Sequence, residues 1–402
     1  MAFSRPAPLR EELARALPER PFEVAFWDGS TLPSSNGSSM TTFRVNSPVA
    51  IAHALRAPGQ LGIGRAYVSG ALDVDDLDAT LELLDTWKPP SLDTKTKAKL
   101  AAAALRSTGL VAPPKPPQAE LIPQGRRHSI ERDKAAVRHH YDVSNEYFSL
   151  FLDDSMTYSC AIFSRGAKTL EEAQWTKREL ICTKLQLKEG ERLLDVGCGW
   201  GAFAVHAAVE HGVHVTGITL SEPQAEKARE RAAEAGVADR VDIKVMDWRE
   251  LGAEPFDAIS SIGMVEHVGS GNIDNYALAL HNFLKPGGRL LNHGIARLRH
   301  TDPEAGPFSE RYVFPDAAPL HLSRITFAME RAGLEPTHVE GFRMDYAETL
   351  KHWAERFDSN LPRAIELGGE ERVRVWRLYL RTARRGFETG FLSVFQVLCT
   401  RP

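Results

Sequence analysis

The sequence contains few cysteines and no long apolar run. Four cysteines occur among its 402 residues, at Cys160, Cys182, Cys198 and Cys399. They are too few for a disulfide scaffold and too widely spaced for a CxxC metal site. No segment approaches the roughly 20 consecutive apolar residues that cross a bilayer, and residues 1–20 lack the apolar centre of a secretory signal. We therefore expect free thiols, no bound metal and a cytoplasmic location.

A strong charge of either sign is also missing. The formal net charge is -4, which argues against a nucleic-acid-binding protein that depends on overall positive potential. Apolar residues make up 43% of the chain and charged residues 25%, a balance typical of soluble globular proteins. Because one hydrophobic core rarely organises a chain of 402 residues, the length favours two domains.

Clustered prolines indicate where these domains meet. Residues 1–87 contain turn signals and mixed apolar segments, which predict a small α+β domain. Residues 88–123 include Lys88-Pro89-Pro90 and four prolines within 112–117, on either side of an Ala-rich helical segment. Since proline interrupts helices and stiffens a chain, we interpret this stretch as a linker. Residues 124–402 then form the catalytic domain.

Short apolar runs alternate with helix-patterned segments in this larger domain. The runs lie at residues 192–196, 214–219, 241–245, 257–262 and 288–293, and a segment such as 223–235 has the helical pattern. Strands that alternate with helices indicate parallel βαβ units. The pattern predicts a doubly wound, Rossmann-like α/β sheet with its ligand loops at the carboxyl ends of the strands.

A glycine-rich turn follows the first of these runs, in Leu194-Asp195-Val196-Gly197-Cys198-Gly199-Trp200-Gly201. Such a turn alone is compatible with a dinucleotide, a phosphate or simple packing. With an acidic residue before its first glycine, and Asp247-Trp248 after the third run, it is similar to the cofactor turn of class I methyltransferases. Those proteins usually have an acidic residue at the end of the second strand, where this chain has Thr219-Leu220-Ser221. Neutral groups must then bind the ribose hydroxyls.

Three further motifs make the resemblance more specific. They are His139-His140-Tyr141-Asp142-Val143-Ser144-Asn145, Met156-Thr157-Tyr158-Ser159-Cys160-Ala161 and Glu266-His267-Val268-Gly269. Together with the glycine turn, they show that the chain resembles cyclopropane-fatty-acid synthases and mycolic-acid cyclopropane synthases from about residue 136 onward. The amino-terminal segment is similar to the extra domain of the longer bacterial members. The resemblance implies a class I methyltransferase fold that carries a smaller α+β domain.

The resemblance also implies two sets of site residues. Those expected around S-adenosylmethionine (SAM) are Tyr158, Ser159, Gly197, Gly199, Thr219, Leu220, Gln224, Asp247 and Trp248. Those expected around a catalytic bicarbonate ion are Cys160, Glu266, His293, the backbone at Ile295, and Tyr346. The family usually has His-Thr-Ile where this chain has His293-Gly294-Ile295. We expect glycine to be tolerated there, with added backbone freedom.

An isolated alkene is a poor nucleophile, so the implied reaction needs the sulfonium methyl group held against the double bond in a water-poor pocket. Methyl transfer leaves a carbocation, and loss of a proton gives either a cyclopropane or, after a hydride shift, a methylene branch. Residues 308–316 and 376–379 are similar to actinobacterial members that make methylene-branched acids such as 10-methylene stearoyl chains. In that subgroup a separate flavoprotein reductase then saturates the branch.

Phospholipid acyl chains are the expected partner, so we expect peripheral contact with the inner face of the membrane. Two basic stretches are candidates for this contact: Arg126 to Arg138, and Arg372 to Arg385. We also expect a homo-oligomer and no nucleic-acid partner. Two alternatives stay open, namely a small-molecule SAM-dependent methyltransferase and a non-catalytic lipid-binding protein. Glu266, His293 and Tyr346 disfavour the first, because methylation of a good nucleophile needs no bound carbonate.

Overall fold

The computed structural model describes residues 5–108, 114–122, 124–134, 144–252, 255–300 and 306–402. In chain order, the elements are α1 Ala7–Ala16, β1 Glu23–Phe26, β2 Thr31–Leu32, β3 Thr42–Val45, α2 Val49–Arg56, α3 Gln60–Val68, β4 Leu72–Val74, α4 Leu77–Thr86, α5 Thr94–Thr108, α6 Asn145–Ser149, α7 Leu170–Leu185, β5 Arg192–Val196, α8 Ala202–His211, β6 His214–Thr219, α9 Glu222–Glu234, β7 Val241–Val245, β8 Phe256–Ile262, α10 Val265–Val268, α11 Ile273–Phe283, β9 Leu284–Arg297, α12 Pro307–Tyr312, α13 Leu322–Arg331, β10 Glu335–Gly341, α14 Arg343–Ser359, α15 Leu361–Glu388 and β11 Leu392–Thr400. None of the described helices is long and apolar enough to cross a membrane.

The chain packs into two compact units. The smaller one contains residues 1–121, together with 306–312 and 368–382, and the larger one contains the rest. The smaller unit has a four-stranded sheet in the order β2-β1-β3-β4, in which β1 and β3 are parallel. Helices cover this sheet, and its apolar core includes Phe22, Val24 and Leu83. This confirms the predicted α+β character of the amino-terminal region.

Helix α5 lies inside the stretch predicted as a linker. Its Ala104 belongs to the core of the smaller unit, and its Ser107 side chain accepts a hydrogen bond from the backbone N–H of Leu9 at 3.1 Å. The small alanine side chains allow this helix to approach α1 closely. The same run that looked like a spacer in the sequence therefore packs as a helix of the smaller unit, between two proline-rich segments.

The larger unit is a seven-stranded sheet in the order β7-β6-β5-β8-β9-β11-β10. The strands from β7 to β9 are parallel, whereas β11 runs antiparallel to both β9 and β10. Leu193 and Leu194 on β5 point to opposite faces and enter different cores: Leu193 packs in the core with α7, α8 and α9, and Leu194 in the core with α11 and α13. Since helices cover both faces, the predicted doubly wound α/β sheet is confirmed.

Helix α7 supports the catalytic side of this sheet, and its start is fixed by the sequence. The Thr169 hydroxyl accepts from the backbone N–H of Glu172, while the Glu172 carboxylate accepts from that of Thr169. Further along α7, the Glu179 carboxylate lies 3.2 Å from Nε2 of both His206 and His211 on α8, beside the buried Cys182. Each imidazole therefore has a carboxylate acceptor, and the packing of α7 on α8 accounts for this cluster.

Candidate active site

The glycine-rich turn joins β5 to α8 and forms an open cradle. Gly197, Gly199 and Gly201 all have left-handed backbone angles, with φ of 78°, 54° and 79°. A Cβ at Gly197 would lie 2.5 Å from Cγ of Met264, and one at Gly201 would lie 2.7 Å from Cβ of Ala228. At Gly199, in contrast, nothing lies within 4 Å of a Cβ position among the described residues. The outer glycines allow close packing, and the middle one faces room for a ligand.

The end of β6 presents neutral polar groups, as the sequence indicates. The Thr219 hydroxyl donates to Oε1 of Gln224 at 2.8 Å, and both side chains are buried. Ser221 caps α9 by accepting from the backbone N–H of Gln224, while Leu220 is half-buried. A hydroxyl and an amide thus stand beside the glycine turn, at the place where an acidic side chain is usual.

Asp247 and Trp248 follow β7 but differ in their surroundings. The buried Asp247 carboxylate accepts from Arg249 through Nε at 2.6 Å and Nη2 at 2.8 Å, and Arg249 also bonds Asp133 at 2.7 Å. Trp248 packs edge-on against Tyr276, with ring centroids 5.0 Å apart. The Asp247 carboxylate is therefore already neutralised by a guanidinium, and the Trp248 ring is the apolar surface at this strand end.

The Ser159 hydroxyl accepts a hydrogen bond from a lysine that the sequence reasoning missed. Nζ of Lys177, on α7, donates to the Ser159 hydroxyl at 2.7 Å. Lys177 is 1% exposed, and burial lowers its pKa from 10.5 to about 7. The neighbouring Tyr158 ring lies 5.2 Å from the Trp353 ring on α14. The motif at 156–161 is thereby fixed between α7 and α14.

Glu266 lies on the short helix α10, two residues after Met264. Its carboxylate is buried and accepts from the backbone N–H of Ile295 on β9, and burial raises its pKa to about 7. Oε2 lies 3.2 Å from the position that a Cβ at Gly294 would occupy. Among the described residues, this oxygen has no hydrogen-bond partner. An acid with an unsatisfied oxygen therefore faces β9 close to the glycine turn.

His293 lies on β9 directly before Gly294, and it is 1% exposed. Its Nδ1 lies 3.2 Å from Nε2 of Gln396, directly across the pair of strands β9 and β11. Burial, followed by the charges of Lys177 and Lys184, lowers the pKa of His293 well below its usual value. The imidazole is therefore neutral, and its Nε2 has no partner within the described part of the chain.

Cys160 lies beside the start of α14, the helix that carries Tyr346. The buried Cys160 thiol lies 3.8 Å from the carbonyl oxygen of Phe342, one helical turn before Tyr346. Phe342 donates its backbone N–H to Val394 on β11 at 2.9 Å, and Val394 pairs with Ile295. The sheet register therefore brings the start of α14 beside the strand that carries His293. Burial raises the pKa of Cys160, which keeps it a neutral thiol.

The structure thus places part of the predicted set at or just after the carboxyl ends of β5, β6 and β7, namely Gly197, Gly199, Thr219, Leu220, Asp247 and Trp248. Glu266 follows β8, and His293 and Ile295 lie on β9, whereas Tyr158, Ser159 and Cys160 precede α7, Gln224 lies on α9 and Tyr346 lies on α14. Sequence reasoning missed Lys177, Lys184 and Gln396. The contacts of Lys184 with Gln396 and of Gln396 with His293 join positions far apart in the chain. The two lysines are seven residues apart on α7, a helical spacing that places them on one face. Residues 139–143 of the first motif lie outside the described residues.

A model of the family described as mycolic acid cyclopropane synthetase matches residues 128–397. The chain is 36% identical over 389 residues to a probable fatty acid methyltransferase of Pseudomonas putida, covering 95% of this chain and 92% of the relative. It is 34% identical over 368 residues to the cyclopropane-fatty-acyl-phospholipid synthase of Escherichia coli, covering 91% and 89%.

Among solved structures, the mycolic acid cyclopropane synthase CmaA1 complexed with SAH and CTAB is similar to about two thirds of this chain. The TM-score is 0.63 at 33% identity, and the match covers 66% of this chain and 98% of that one. The matched family, the two relatives and this solved structure point to the same class of protein. The chain therefore belongs to the mycolic acid cyclopropane synthetase family of SAM-dependent methyltransferases.

Proposed function

We propose that this chain transfers a one-carbon unit from SAM to the double bond of an unsaturated phospholipid acyl chain, such as an oleoyl chain. The reaction passes through a carbocation, and a bound bicarbonate removes its proton. The product is a cyclopropane or a methylene-branched chain such as 10-methylene stearoyl. The observation that carries this proposal is the pair of buried, unsatisfied atoms at β9: Oε2 of Glu266 and Nε2 of His293.

The residues around the glycine turn are suited to SAM, which supplies an electrophilic methyl group when bound. Gly199 leaves room for the ligand, and Thr219 and Gln224 offer neutral hydrogen-bonding groups for ribose hydroxyls. The Trp248 ring provides a flat apolar surface. The glycine turn adjoins Met264, which lies two residues before Glu266 in the sequence. A ligand in the cradle therefore lies near the start of α10.

The residues at β9 fit a small oxyanion that carries one proton. Bicarbonate would supply a base at this point without offering a side-chain nucleophile to the carbocation. His293 is neutral and has one N–H to donate to an anionic oxygen. Glu266 has an unsatisfied oxygen to accept the O–H of the ion, and the backbone near Ile295 lies alongside. We assign the thiol of Cys160 and the phenol of Tyr346 to the same ion, as the resemblance implies.

Contact with the membrane surface is the part of the proposal that depends most on charge. The side chains of Arg126 and Arg127 are exposed, although Arg127 pairs with Asp316 at 3.1 Å. Each cation near an anionic surface contributes about 1 kcal/mol. The second basic stretch is less suitable. Arg374 pairs with Asp73 and Arg381 with Asp78, and Arg385 pairs with Glu388 on the same helix. We therefore assign membrane contact to the exposed stretch that begins at Arg126.

Expression in a host with oleoyl phospholipids tests the function directly. We expect the fatty acids, analysed by mass spectrometry, to gain one carbon as a ring or a methylene branch. Glu266→Gln and His293→Ala should each lower turnover about 100-fold, because each removes a group that holds the bicarbonate base in place, while SAM affinity measured by calorimetry stays close to that of the wild type. Unchanged lipids in the host that expresses the wild-type protein, together with methyl transfer to a small amine, would contradict the proposal.

A further inference from the structure

The His293 imidazole is fixed by a hydrogen-bonded chain that reaches the surface of the larger unit. Nζ of Lys184, on α7, lies 2.6 Å from Oε1 of Gln396 and 2.6 Å from Oε2 of Glu340. Nε2 of Gln396 in turn lies 3.2 Å from Nδ1 of His293. The chain joins three strands, β9, β11 and β10, to helix α7.

The lysine determines which end of the Gln396 amide faces the histidine. An ammonium group has only donors, so the atom 2.6 Å from Lys184 must be the amide oxygen. The amide NH₂ group of Gln396 therefore points at Nδ1 of His293. Rotation of the amide by half a turn would place NH₂ against the ammonium and is disfavoured.

We propose that Lys184 and Gln396 are positioning residues that hold His293 in the tautomer with its proton on Nε2. Because the Gln396 amide donates to Nδ1, this nitrogen must accept, and a neutral imidazole then carries its single proton on Nε2. That nitrogen is the atom without a partner among the described residues. The proposal rests on the proposed function, in which the Nε2–H donates to an anionic oxygen, and it explains how a neutral histidine can bind an anion.

The alternative tautomer would be unsuitable for the same site. With the proton on Nδ1, the imidazole would present a lone pair at Nε2, which repels an oxyanion and leaves two donors facing each other at Gln396. Fixing the tautomer in advance also avoids reorganisation when the ion binds, which is the general advantage of preorganised donors. Gln396 is 0% exposed, so water does not compete for its amide.

Nitrogen NMR on protein labelled at its histidines tests the tautomer without substrate or cofactor. The His293 signals are assigned by their loss in His293→Gln. In the wild type, we expect Nδ1 to be unprotonated and Nε2 protonated. In the near-isosteric Gln396→Glu, the carboxylate accepts from the ring, so Nδ1 becomes protonated. In Lys184→Met the amide loses its orienting cation, and both tautomers appear.

Kinetics then separate positioning from folding. We expect Gln396→Glu to lower kcat at least tenfold with little change in the SAM dissociation constant, and to raise the bicarbonate concentration needed for half-maximal rate. Arg165→Met is the matched control, because Arg165 pairs with Glu340 on the exposed side and does not touch Gln396; it should keep the wild-type tautomer and rate. A protonated Nδ1 in the wild type, or an unchanged ring in Gln396→Glu, would overturn the inference. Failure of the lipid assay alone would remove the proposed function and leave the tautomer assignment intact.

Discussion

The Glu266 carboxylate is buried and accepts few hydrogen bonds, and the stability of the protein therefore depends on pH. Its pKa in the folded protein is about 7, against 4.5 for an unperturbed glutamate. A group whose folded pKa is raised favours the folded state most at pH values below its unfolded pKa. That contribution is lost as the pH rises through the folded pKa, because ionising the buried carboxylate is costly.

We expect Glu266→Gln to remove this part of the pH dependence. In bicarbonate-free buffer, the free energy of unfolding of the wild type should fall between about pH 5 and about pH 8 by more than that of the variant. Urea denaturation at both pH values measures the difference. Lys177 and Asp195 also have pKa values near 7, but they are present in both proteins, so the comparison isolates Glu266. Parallel curves would show that the carboxylate is not buried as described.

Gly294 is a second residue whose role appears only in three dimensions. A Cβ there would lie 2.3 Å from Cγ1 of Val265 and 3.2 Å from Oε2 of Glu266. The sequence indicated added backbone freedom at this glycine. The structure instead shows that the absence of a side chain lets α10 approach β9 closely enough for Glu266 to reach the Ile295 N–H.

Gly294→Ala should therefore destabilise the protein and displace Glu266. We expect a loss of about 1–3 kcal/mol in the free energy of unfolding, as overpacking in a buried site usually costs, together with a lower kcat. Gly271→Ala is the control, since a Cβ at Gly271 would meet nothing within 4 Å among the described residues. Equal stability of the two variants would mean that α10 adjusts without strain.

At the scale of the elements, helix α7 supplies both lysines of the site, the buried Lys177 and the half-buried Lys184. Lys177 bonds Ser159, and Lys184 bonds Gln396. If Ser159 contacts SAM, as the resemblance implies, loss of its lysine donor should weaken cofactor binding. We expect Lys177→Met to raise the SAM dissociation constant about two- to tenfold, the effect of one hydrogen bond. Calorimetric titration measures this change, with the exposed Lys188→Met as the control. An unchanged dissociation constant would indicate that Ser159 does not depend on Lys177.

The sequence was sufficient to predict most elements of the sheet but not the contacts between them. Residues 192–196, 214–219 and 241–245 were predicted as strands, and the structure has β5, β6 and β7 at these positions. Their apolar runs are bounded by turns, and this signal is local. Lys184 and Gln396 are 212 residues apart, and their contact depends on the pairing of β11 with β9. No local sequence pattern indicates that pairing. The contacts of Lys184 and Gln396 behind His293 were therefore not predictable.

The Ala-rich helix α5 shows a different limit of sequence reasoning. Prolines on both sides suggested a spacer, but Ala104 lies in the core of the smaller unit. An alanine-rich helix has no strong amphipathic pattern, so its buried face cannot be distinguished from its exposed one by composition alone. The basic stretch near the carboxyl end has the same difficulty, because its ion pairs with Asp73 and Asp78 bridge about 300 residues of chain.

At the scale of the whole molecule, the smaller unit is built from three separate parts of the chain. Residues 306–312 and 368–382 belong to it together with residues 1–121. Arg374 donates to the carbonyl oxygens of Tyr67 and Leu72 at 2.5 Å and 2.8 Å, and its guanidinium lies 4.1 Å from the Tyr67 ring centroid. The Phe308 ring lies against Gly64, where a Cβ would approach it to 2.4 Å. Later segments of the chain therefore pack against the first 121 residues within the smaller unit.

A chain that lacks residues 1–121 should consequently fail to fold into a stable protein, although the family match begins only at residue 128. The deletion would remove Gly64, against which the Phe308 ring packs, and the carbonyl acceptors of Arg374. The apolar surface exposed in this way and the lost hydrogen bonds favour aggregation. We expect the truncated chain to show no cooperative thermal transition and to elute as aggregates in size-exclusion chromatography. Full-length Arg374→Met provides the graded comparison: it should fold, with a melting temperature a few degrees lower, because it loses only part of the same contacts. The contrary result would be a truncated chain that melts cooperatively and binds SAM as tightly as the full-length protein. The larger unit would then be stable without the contacts that segments 306–312 and 368–382 make with the amino-terminal residues.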